Sequence, residues 1–333
     1  MHIVALVDVE AIQPDDPQYQ RPADGAPRWM EFHVVQALRA LGHSVHVAAI
    51  APPVVETIAA LARQRPALVF NMTEAYCGER RYDMHLAAVL ELLQLRYTGT
   101  GPESLLLCRD KAESKERLRR LGVRAPTFAV VRPGERKLSR ERKLPPLRYP
   151  VLVKPQLGDG SDGITRSSLA LSEAAALGQA AVLHRRFGAP AICEEYIEGR
   201  EFKVALVGNR RPLVLPPREV RFGPRGPRFL TARAKNDRAY RDRSGITIPR
   251  AVLTPGELAA VSRCAVDSYR ALGLRDYGKI DLRLDDRGQA WFIEANPNPD
   301  LSPTGMGTIA SWAGIEYRDL IKRIVDLALR RDR

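Results

Sequence analysis

The chain has 333 residues, 45% of them hydrophobic and 27% charged, a composition typical of a soluble globular protein of two or three domains. No apolar run approaches the roughly 18 residues of a membrane span, and the first residues read as a buried strand without the features of a secretory signal. The net charge of +13 is spread along the chain and aromatic residues make up only 6%, so a surface rich in arginine and a site for anionic substrates are favoured over nucleic-acid binding.

The four cysteines, Cys77, Cys108, Cys193 and Cys264, are widely scattered. They form neither a metal-binding spacing nor a disulfide framework. A reducing cytoplasm is therefore the expected location, and neither a membrane nor a nucleic acid is expected among the partners.

Strands and helices are predicted to alternate through the first third of the chain. In chain order they are strand 2–9, helix 29–41, strand 44–50, helix 54–64, strand 67–72 and helix 83–95. This order predicts a parallel sheet with helices on both faces, whose ligands collect at the carboxyl ends of the strands. Polar residues that follow the strands are candidate substrate contacts, with ordinary loop polarity as the alternative: Asp8, Glu10, Asn71, Thr73 and Glu74.

The middle of the chain contains a lysine in an unusual place. Residues 149–155 predict a short buried strand that ends near Lys154, and a buried lysine is costly unless it meets an anion. Residues 156–164 follow with three glycines in six positions, so backbone N–H groups can turn towards phosphates. Helices are predicted at 109–122 and 171–187, and a surface loop at 133–147.

Two further stretches precede the C-terminal region. Residues 191–207 predict an amphipathic strand. Residues 218–243 contain nine Lys or Arg against three acids, with several Gly and Pro, which alone suggests a disordered basic loop for an acidic partner.

Residues 277–304 predict a hairpin with a turn at 285–288, where Asp and Gly tolerate the required backbone angles. A two- or four-residue turn would bring Asp281, Glu294 and Asn296 together, whereas a three-residue turn would separate them. The opposite face would carry a core made of the alternating apolar residues Ile280, Leu282, Leu284, Trp291 and Ile293.

Two carboxylates and an amide are hard oxygen ligands that suit magnesium, and phosphate oxygens would complete the shell. A solvated hairpin is the alternative. The continuation Glu294-Ala-Asn-Pro-Asn-Pro favours the metal site, because two prolines end the strand at the polar cluster.

This hairpin is similar to the metal-binding segment of ATP-grasp enzymes of the D-alanine–D-alanine ligase branch. Residues 90–102 resemble the segment that closes the first domain of these ligases, and the resemblance covers about residues 90–310. It implies an α/β ATP-grasp fold, in which an N-terminal parallel-sheet domain precedes two α+β subdomains that clasp ATP. The corresponding boundaries are 1–102, 103–190 and 191–333.

The resemblance also implies the roles of individual residues. Those expected at the ATP phosphates are Lys111, Lys154, Gly158, Gly160, Ser161 and Gly163. Those expected at adenine and ribose are Glu194, Glu195, Tyr196, Ile197 and, for ribose, Glu201. The implied metal ligands are Asp281, Glu294 and Asn296, which would hold two Mg²⁺ ions, with Mn²⁺ as an alternative. Lys235 matches a lysine on a loop that closes over the phosphates, and the oxyanion role falls to Lys279 or Arg283.

Several positions depart from the ligase pattern. The early Gly-rich turn and the segment expected after it are missing, since the chain reads Asp8-Val-Glu-Ala and Asn71-Met-Thr-Glu instead. The flap has Gly160-Ser-Asp-Gly where Gly-Ser-Ser is common, Lys279 replaces an arginine, and Asp300 replaces a glycine beside the second amino acid.

These features predict an ATP-dependent ligase that joins a small carboxylate to an amine through an acylphosphate, with substrates other than two D-alanines. The alternatives are a true D-alanine–D-alanine ligase and a non-catalytic nucleotide- or nucleic-acid-binding protein. A homodimer is expected by family analogy.

Overall fold

The computed structural model describes residues 1–21, 30–138, 146–158, 161–224 and 226–331. Within these ranges the strands are β1 (His2–Asp8), β2 (Ser44–Ile50), β3 (Leu68–Asn71), β4 (Phe128–Val131), β5 (Val151–Pro155), β6 (Leu169–Ala170), β7 (Ala191–Glu195), β8 (Arg200–Val207), β9 (Leu213–Val214), β10 (Arg218–Val220), β11 (Tyr277–Leu284) and β12 (Ala290–Asn296). The α-helices are α1 (Met30–Ala40), α2 (Val54–Gln64), α3 (Asp83–Leu92), α4 (Pro102–Arg109), α5 (Lys111–Arg120), α6 (Glu173–Phe187), α7 (Ala232–Asn236), α8 (Arg238–Arg243), α9 (Pro255–Ala271), α10 (Thr308–Ser311) and α11 (Tyr317–Arg330).

The first three strands form a parallel sheet in the order β2-β1-β3. Alternate residues of β1 enter different cores: Ile3 and Ala5 pack with α1 and α11, whereas Val4 and Leu6 pack with α2 and α3. The predicted parallel sheet between helical layers is therefore confirmed. The C-terminal helix α11 returns to cover the N-terminal sheet, so the two ends of the chain share one core.

The remaining strands form two antiparallel sheets. One has the order β4-β7-β5-β6 and packs on α6. The other has the order β10-β8-β11-β12, with β9 on β8, and packs on α9. β7 hydrogen-bonds with β4 and β5, so the first of these sheets extends beyond residue 190, the predicted boundary between the two α+β subdomains.

The helix expected over 109–122 is confirmed as α5, which begins at 111 and ends at 120. Asp110 leaves the helical conformation after α4 and accepts hydrogen bonds from the N–H groups of Ala112 and Glu113 as the N-cap of α5. The expectation of a disordered basic loop is wrong. The basic stretch 218–243 forms β10, α7 and α8 in its described part. Its apolar residues Val220, Leu230 and Ala234 form a small core together with Ile246, which follows the stretch.

Part of the predicted loop 133–147 lies outside the described residues, as does Gly160. In the part of the chain that is described, no helix is long and apolar enough to cross a bilayer.

Candidate active site

The hairpin of β11 and β12 brings the predicted metal ligands together by an unexpected route. Asp281 lies opposite Glu294, and Lys279 lies opposite Asn296. The loop between the strands nevertheless has three residues, 286–288, since Asp285 N–H donates to the carbonyl of Gln289 at 3.0 Å. With that loop alone the two carboxylates would be out of register.

A β-bulge restores the register. Asp281 pairs with Glu294 and Leu282 pairs with Phe292, so Ile293 has no partner in the ladder. The bulge also corrects the predicted core, because Phe292 is the residue that packs with Ile280 and Leu282. Ile293 faces a pocket instead. Trp291 lies outside this core, and its indole N–H donates to the Asp285 carboxylate at 2.8 Å.

A buried lysine binds the bulge. Lys115, on α5 and 0% exposed, donates from Nζ to the Ile293 carbonyl at 2.7 Å. Its ammonium also lies 3.0 Å from Glu194 Oε2, and Lys154 Nζ lies 2.6 Å from Glu194 Oε1. Burial raises the pKa of Glu194, but the two lysines outweigh it and hold that pKa below its ordinary value. The end of β7 is thus connected to β12 through the side chains of Glu194 and Lys115.

Two ion pairs lie side by side across β8 and β11. The ladder places Lys203 opposite Asp281 and Glu201 opposite Arg283. Lys203 Nζ is 2.6 Å from Asp281 Oδ2, and Arg283 Nη2 is 2.9 Å from Glu201 Oε2. The nearby Lys279 Nζ is 3.6 Å from Asp281 Oδ1. This face of the sheet therefore carries alternating charges that β-strand spacing holds in place.

A pocket lies between the two antiparallel sheets. Its apolar walls come from Leu152, Ile164, Ile197, Phe229, Leu230 and Ile293. Its polar lining contains Lys154, Ser161, Glu194, Glu195, Tyr196, Glu201, Lys203, Asp281, Arg283 and Glu294. A pocket with both apolar walls and charged groups suits a flat heterocycle that carries an anionic chain.

Most residues expected around ATP line this pocket, but their side chains differ in what they contact. Glu195 turns to Arg148, whose backbone N–H donates to Glu195 Oε1 at 2.9 Å. Tyr196 donates its hydroxyl to the Arg228 carbonyl at 2.7 Å, and its ring packs against Phe229. The Ile197 carbonyl accepts a hydrogen bond from Arg283 at 2.8 Å.

The glycine-rich segment is described only in part. Lys111 Nζ donates to the carbonyl of Gly158, which brings the lysine of α5 to this loop. Gly163 has φ +73°, and a Cβ there would meet Leu183 and Phe187 at 2.9 Å, so close packing on α6 already requires glycine.

The three residues proposed for chemistry occupy different surroundings. Arg283 is buried, with its guanidinium 4.6 Å from the Tyr196 ring centroid and its donors directed to Glu201, Ile197 and Arg228. Lys279 lies on the hairpin of β11 and β12, beside Asp281. Lys235 is exposed on α7 and lines a second pocket, together with Asn296 and Asp300.

The charges around Glu294 are mostly positive. Burial raises the pKa of Glu294, but Lys154, Lys111, Lys235 and Lys203 outweigh it and lower that pKa to about 2. Burial itself lowers the pKa of Lys111 to about 8. The site is therefore arranged to receive additional negative charge, such as a polyphosphate.

The residues present fit a divalent cation. Asp281 Oδ1 is buried and accepts no hydrogen bond within the described chain, so an acceptor is available for an ion. Asn296 Oδ1 accepts one hydrogen bond, from Asn298 N–H at 2.9 Å, and keeps a second lone pair. In the described ranges no group of three or more His, Cys, Asp or Glu could hold a metal by itself.

The candidate substrate contacts of the N-terminal sheet are partly used within the fold. Asp8 accepts hydrogen bonds from the N–H groups of Glu74 and Ala75, the first at 3.0 Å. Burial raises the pKa of Asp8 to about 6. Asn71 Oδ1 accepts from the Thr73 hydroxyl at 2.8 Å, whereas Glu10 is exposed.

Two lysines that contact the predicted site residues were not predicted from the sequence. Lys115 stands four residues after Lys111, on the same face of α5, and Lys203 stands two residues after Glu201, on the same face of β8. Those spacings are the signals that would have pointed to them.

The chain is similar in sequence to known proteins. The family model described as D-ala D-ala ligase C-terminus matches residues 118–326. The uncharacterized protein y4sG of Sinorhizobium fredii is 37% identical over 267 residues, which are 79% of this chain and 75% of that protein. The D-alanine–D-alanine ligase of Gloeobacter violaceus is 30% identical over 301 residues, which are 89% of this chain and 92% of that protein.

The structure is similar to that of the D-alanine–D-alanine ligase from Bacillus anthracis complexed with ATP. The TM-score is 0.72 over 99% of this chain and 98% of that chain, at 18% sequence identity. A likeness at this identity shows the fold, and the predicted α/β ATP-grasp fold is confirmed.

Proposed function

This chain belongs to the D-alanine–D-alanine ligase family of ATP-grasp enzymes, which are ATP-dependent ligases, and from that premise we propose that it joins a carboxylate to an amine other than two D-alanines. The observation that carries the proposal is the pairing of Asp281 with Glu294 beside a pocket that suits a nucleotide. The two carboxylates then lie beside the apolar walls of this pocket, and phosphoryl transfer to a carboxylate requires charged groups and a nucleotide pocket in one place.

In the proposed reaction a substrate carboxylate oxygen attacks the γ-phosphorus of ATP, and ADP leaves with the electrons of the broken P–O bond. The amine then attacks the acylphosphate carbonyl, and phosphate leaves. Lys111 and Lys154 would neutralise phosphate charge through both steps. Asp281, Glu294 and Asn296 would hold Mg²⁺, which when bound supplies charge stabilisation at the phosphate oxygens.

The oxyanion of the second step needs a cation that still has hydrogen-bond donors to offer. Arg283 already donates to Glu201, Ile197 and Arg228 on the nucleotide side of the sheet. The Lys279 ammonium lies on the hairpin of β11 and β12, 3.6 Å from Asp281 Oδ1. We therefore assign the oxyanion role to Lys279, which keeps the charge of an arginine but not its planar fork.

The second pocket supports substrates other than D-alanine. Its described lining is strongly charged and includes Glu74, Arg80, Asp83, Arg109, Lys235 and Asp300. Within this lining Arg109 pairs with Asp83 at 2.7 Å, and Arg80 lies 3.7 Å from Glu74. A methyl side chain would gain little from such surroundings, whereas a polar or charged amine could interact with Lys235 or Asp300. The named relative from Gloeobacter violaceus favours the alternative, a true D-alanine–D-alanine ligase.

The test is a substrate screen with purified protein, ATP, Mg²⁺ and pools of amino acids, read out by ADP release and by product mass. We expect ADP release with an acid and an amine that are not both D-alanine, and a product mass equal to their condensation. ADP release with D-alanine alone would establish the alternative. ATP binding without turnover for any pair would indicate a non-catalytic binding module.

A further inference from the structure

Two ammonium groups already contact the carboxylate of Asp281. Lys203 Nζ lies 2.6 Å from Oδ2, and Lys279 Nζ lies 3.6 Å from Oδ1. The side chains of Lys203 and Asp281 are 16% and 7% exposed, so water screens this contact only weakly. Lys203 is also the direct cross-strand neighbour of Asp281, which means that backbone pairing holds the two side chains together.

The wider site is rich in cations as well. The lysines that act on Glu294 are Lys154, Lys111, Lys235 and Lys203. The proposed ligand set contains only two carboxylates, since Asn296 is neutral. Each divalent ion added here must therefore approach charges of its own sign at short range, in surroundings where such repulsion is strong.

The two oxygens of Asp281 are not equivalent. Oδ2 accepts the short hydrogen bond from Lys203, whereas Oδ1 is buried and accepts no hydrogen bond within the described chain. One oxygen is thus occupied by a fixed ammonium. The other has the Lys279 ammonium 3.6 Å away but accepts no hydrogen bond from it, so its lone pairs can bind a metal ion. A carboxylate shared in this way can serve one divalent ion together with Glu294 and Asn296.

We propose that the Lys203 ammonium takes the place of one cation at Asp281, so that this site binds ATP with a single divalent ion where the family resemblance implies two. The proposal rests on the proposed function, because it assumes that the pocket binds ATP. Lys203, on β8, then acts as a positioning residue and as a fixed positive charge. Its presence determines how many metal ions the site binds.

The test counts metal ions directly. Wild-type protein is saturated with a non-hydrolysable ATP analogue and titrated with Mn²⁺, and bound ions per chain are obtained from the electron paramagnetic resonance signal of free Mn²⁺. We expect one tightly bound ion for the wild type and two for Lys203→Gln, which keeps a donor for Asp281 but removes the charge. Lys203→Arg, which keeps the charge, should stay at one.

The matched control is Lys322→Gln, which removes a lysine that pairs with Asp326 at 2.7 Å on the surface helix α11. It should bind one ion, as the wild type does. Thermal unfolding gives a second readout: Mn²⁺ should raise the melting temperature of nucleotide-bound Lys203→Gln more than that of the wild type.

Two tightly bound ions in the wild type would overturn the proposal, even if Lys203→Gln fails to fold. Equal ion counts and equal Mn²⁺ effects on melting in wild type and Lys203→Gln would also overturn it. Failure of the wild type to bind the ATP analogue is a different result, because it would contradict the proposed function on which the metal count depends.

Discussion

Glu294 is the residue at which the lysines of the site converge, and their charges lower its pKa to about 2. It is therefore ionised throughout the range in which the protein would work. We expect Glu294→Gln, which keeps the shape and removes the charge, to lower kcat for ADP release at least about 100-fold. Exposed Glu56→Gln on α2 is the control and should retain activity. Near-normal turnover of Glu294→Gln would contradict the proposed metal ligands.

Lys115 tests whether the bulge depends on a single side chain. Lys115→Met keeps most of the volume but leaves the Ile293 carbonyl without its donor and Glu194 with only Lys154. We expect the free energy of unfolding in urea to fall by about 3 kcal/mol, because one partner of a buried charge pair is removed. The KM for ATP should rise as well.

Lys322→Met is the matched control for that change, since it removes a lysine from an exposed ion pair. It should alter the free energy of unfolding by less than about 1 kcal/mol. Equal losses in the two variants would mean that the buried contacts of Lys115 contribute no more than a surface pair.

At the scale of elements, the join between β7 and β8 depends on one glycine. Gly199 has φ +134°, and a Cβ there would lie 2.0 Å from the carbonyl oxygen of Leu284, at the end of β11. Gly199→Ala must therefore push β11 away from β8 and disturb the pair of Glu201 and Arg283. We expect a loss of about 3 kcal/mol in the free energy of unfolding and a higher KM for ATP.

The control for this substitution is Gly256→Ala on α9, where a Cβ would meet nothing within 4 Å. Gly256 is the second residue of α9, and alanine there restricts the unfolded chain without strain in the fold, so this variant should gain about 0.4–1 kcal/mol. A neutral result for Gly199→Ala would show that the β8–β11 contact adapts easily, against the geometry described above.

The elements that could be predicted from sequence are those that local periodicity determines. β2 and α2 have the predicted bounds, 44–50 and 54–64, because apolar spacing and flanking turn residues act over a few positions. The family resemblance drawn from ordered motifs is confirmed by the family match. Asp110 is of a residue type that favours the N-cap, but the basic residues around it form one continuous pattern that does not mark a helix boundary.

The bulge at Ile293 could not be predicted in this way. The three-residue loop at 286–288 would have separated Asp281 from Glu294, and the extra residue restores their register. Its carbonyl is bound by Lys115, which is 178 positions away in the chain. The pairing of Lys203 with Asp281 spans 78 positions and depends on which strands become neighbours. Neither contact has a local signature in the sequence.

At the scale of the whole molecule, Asp276 joins distant parts of the chain. It is 0% exposed, accepts the Gly99 N–H at 2.9 Å and lies 3.0 Å from Arg331, just after α11. Burial raises its pKa from the ordinary 3.8 to about 6, although Arg331 acts in the opposite direction. The contact that holds the C-terminal end of the chain to the N-terminal region therefore depends on pH.

The sign of this dependence follows from the raised pKa. Below about pH 4 both the folded and the unfolded chain carry the proton on Asp276, so the group adds no pH dependence there. Between about pH 4 and pH 6 the unfolded chain releases the proton first, so rising pH favours unfolding. The free energy of unfolding should fall by up to about 3 kcal/mol from this group, since one pKa unit corresponds to about 1.4 kcal/mol.

Asp276→Asn tests that assignment, because asparagine keeps an acceptor for Gly99, tolerates the φ of +64° at this position and does not titrate. Urea unfolding of wild type and variant at pH 4, 5, 6 and 7 should give curves that diverge as pH rises, with the variant losing less stability. Asp286→Asn in the exposed hairpin turn should run parallel to the wild type. Parallel curves for Asp276→Asn would mean that the buried carboxylate is fully stabilised by Arg331, and that the junction between the two ends of the chain is insensitive to pH.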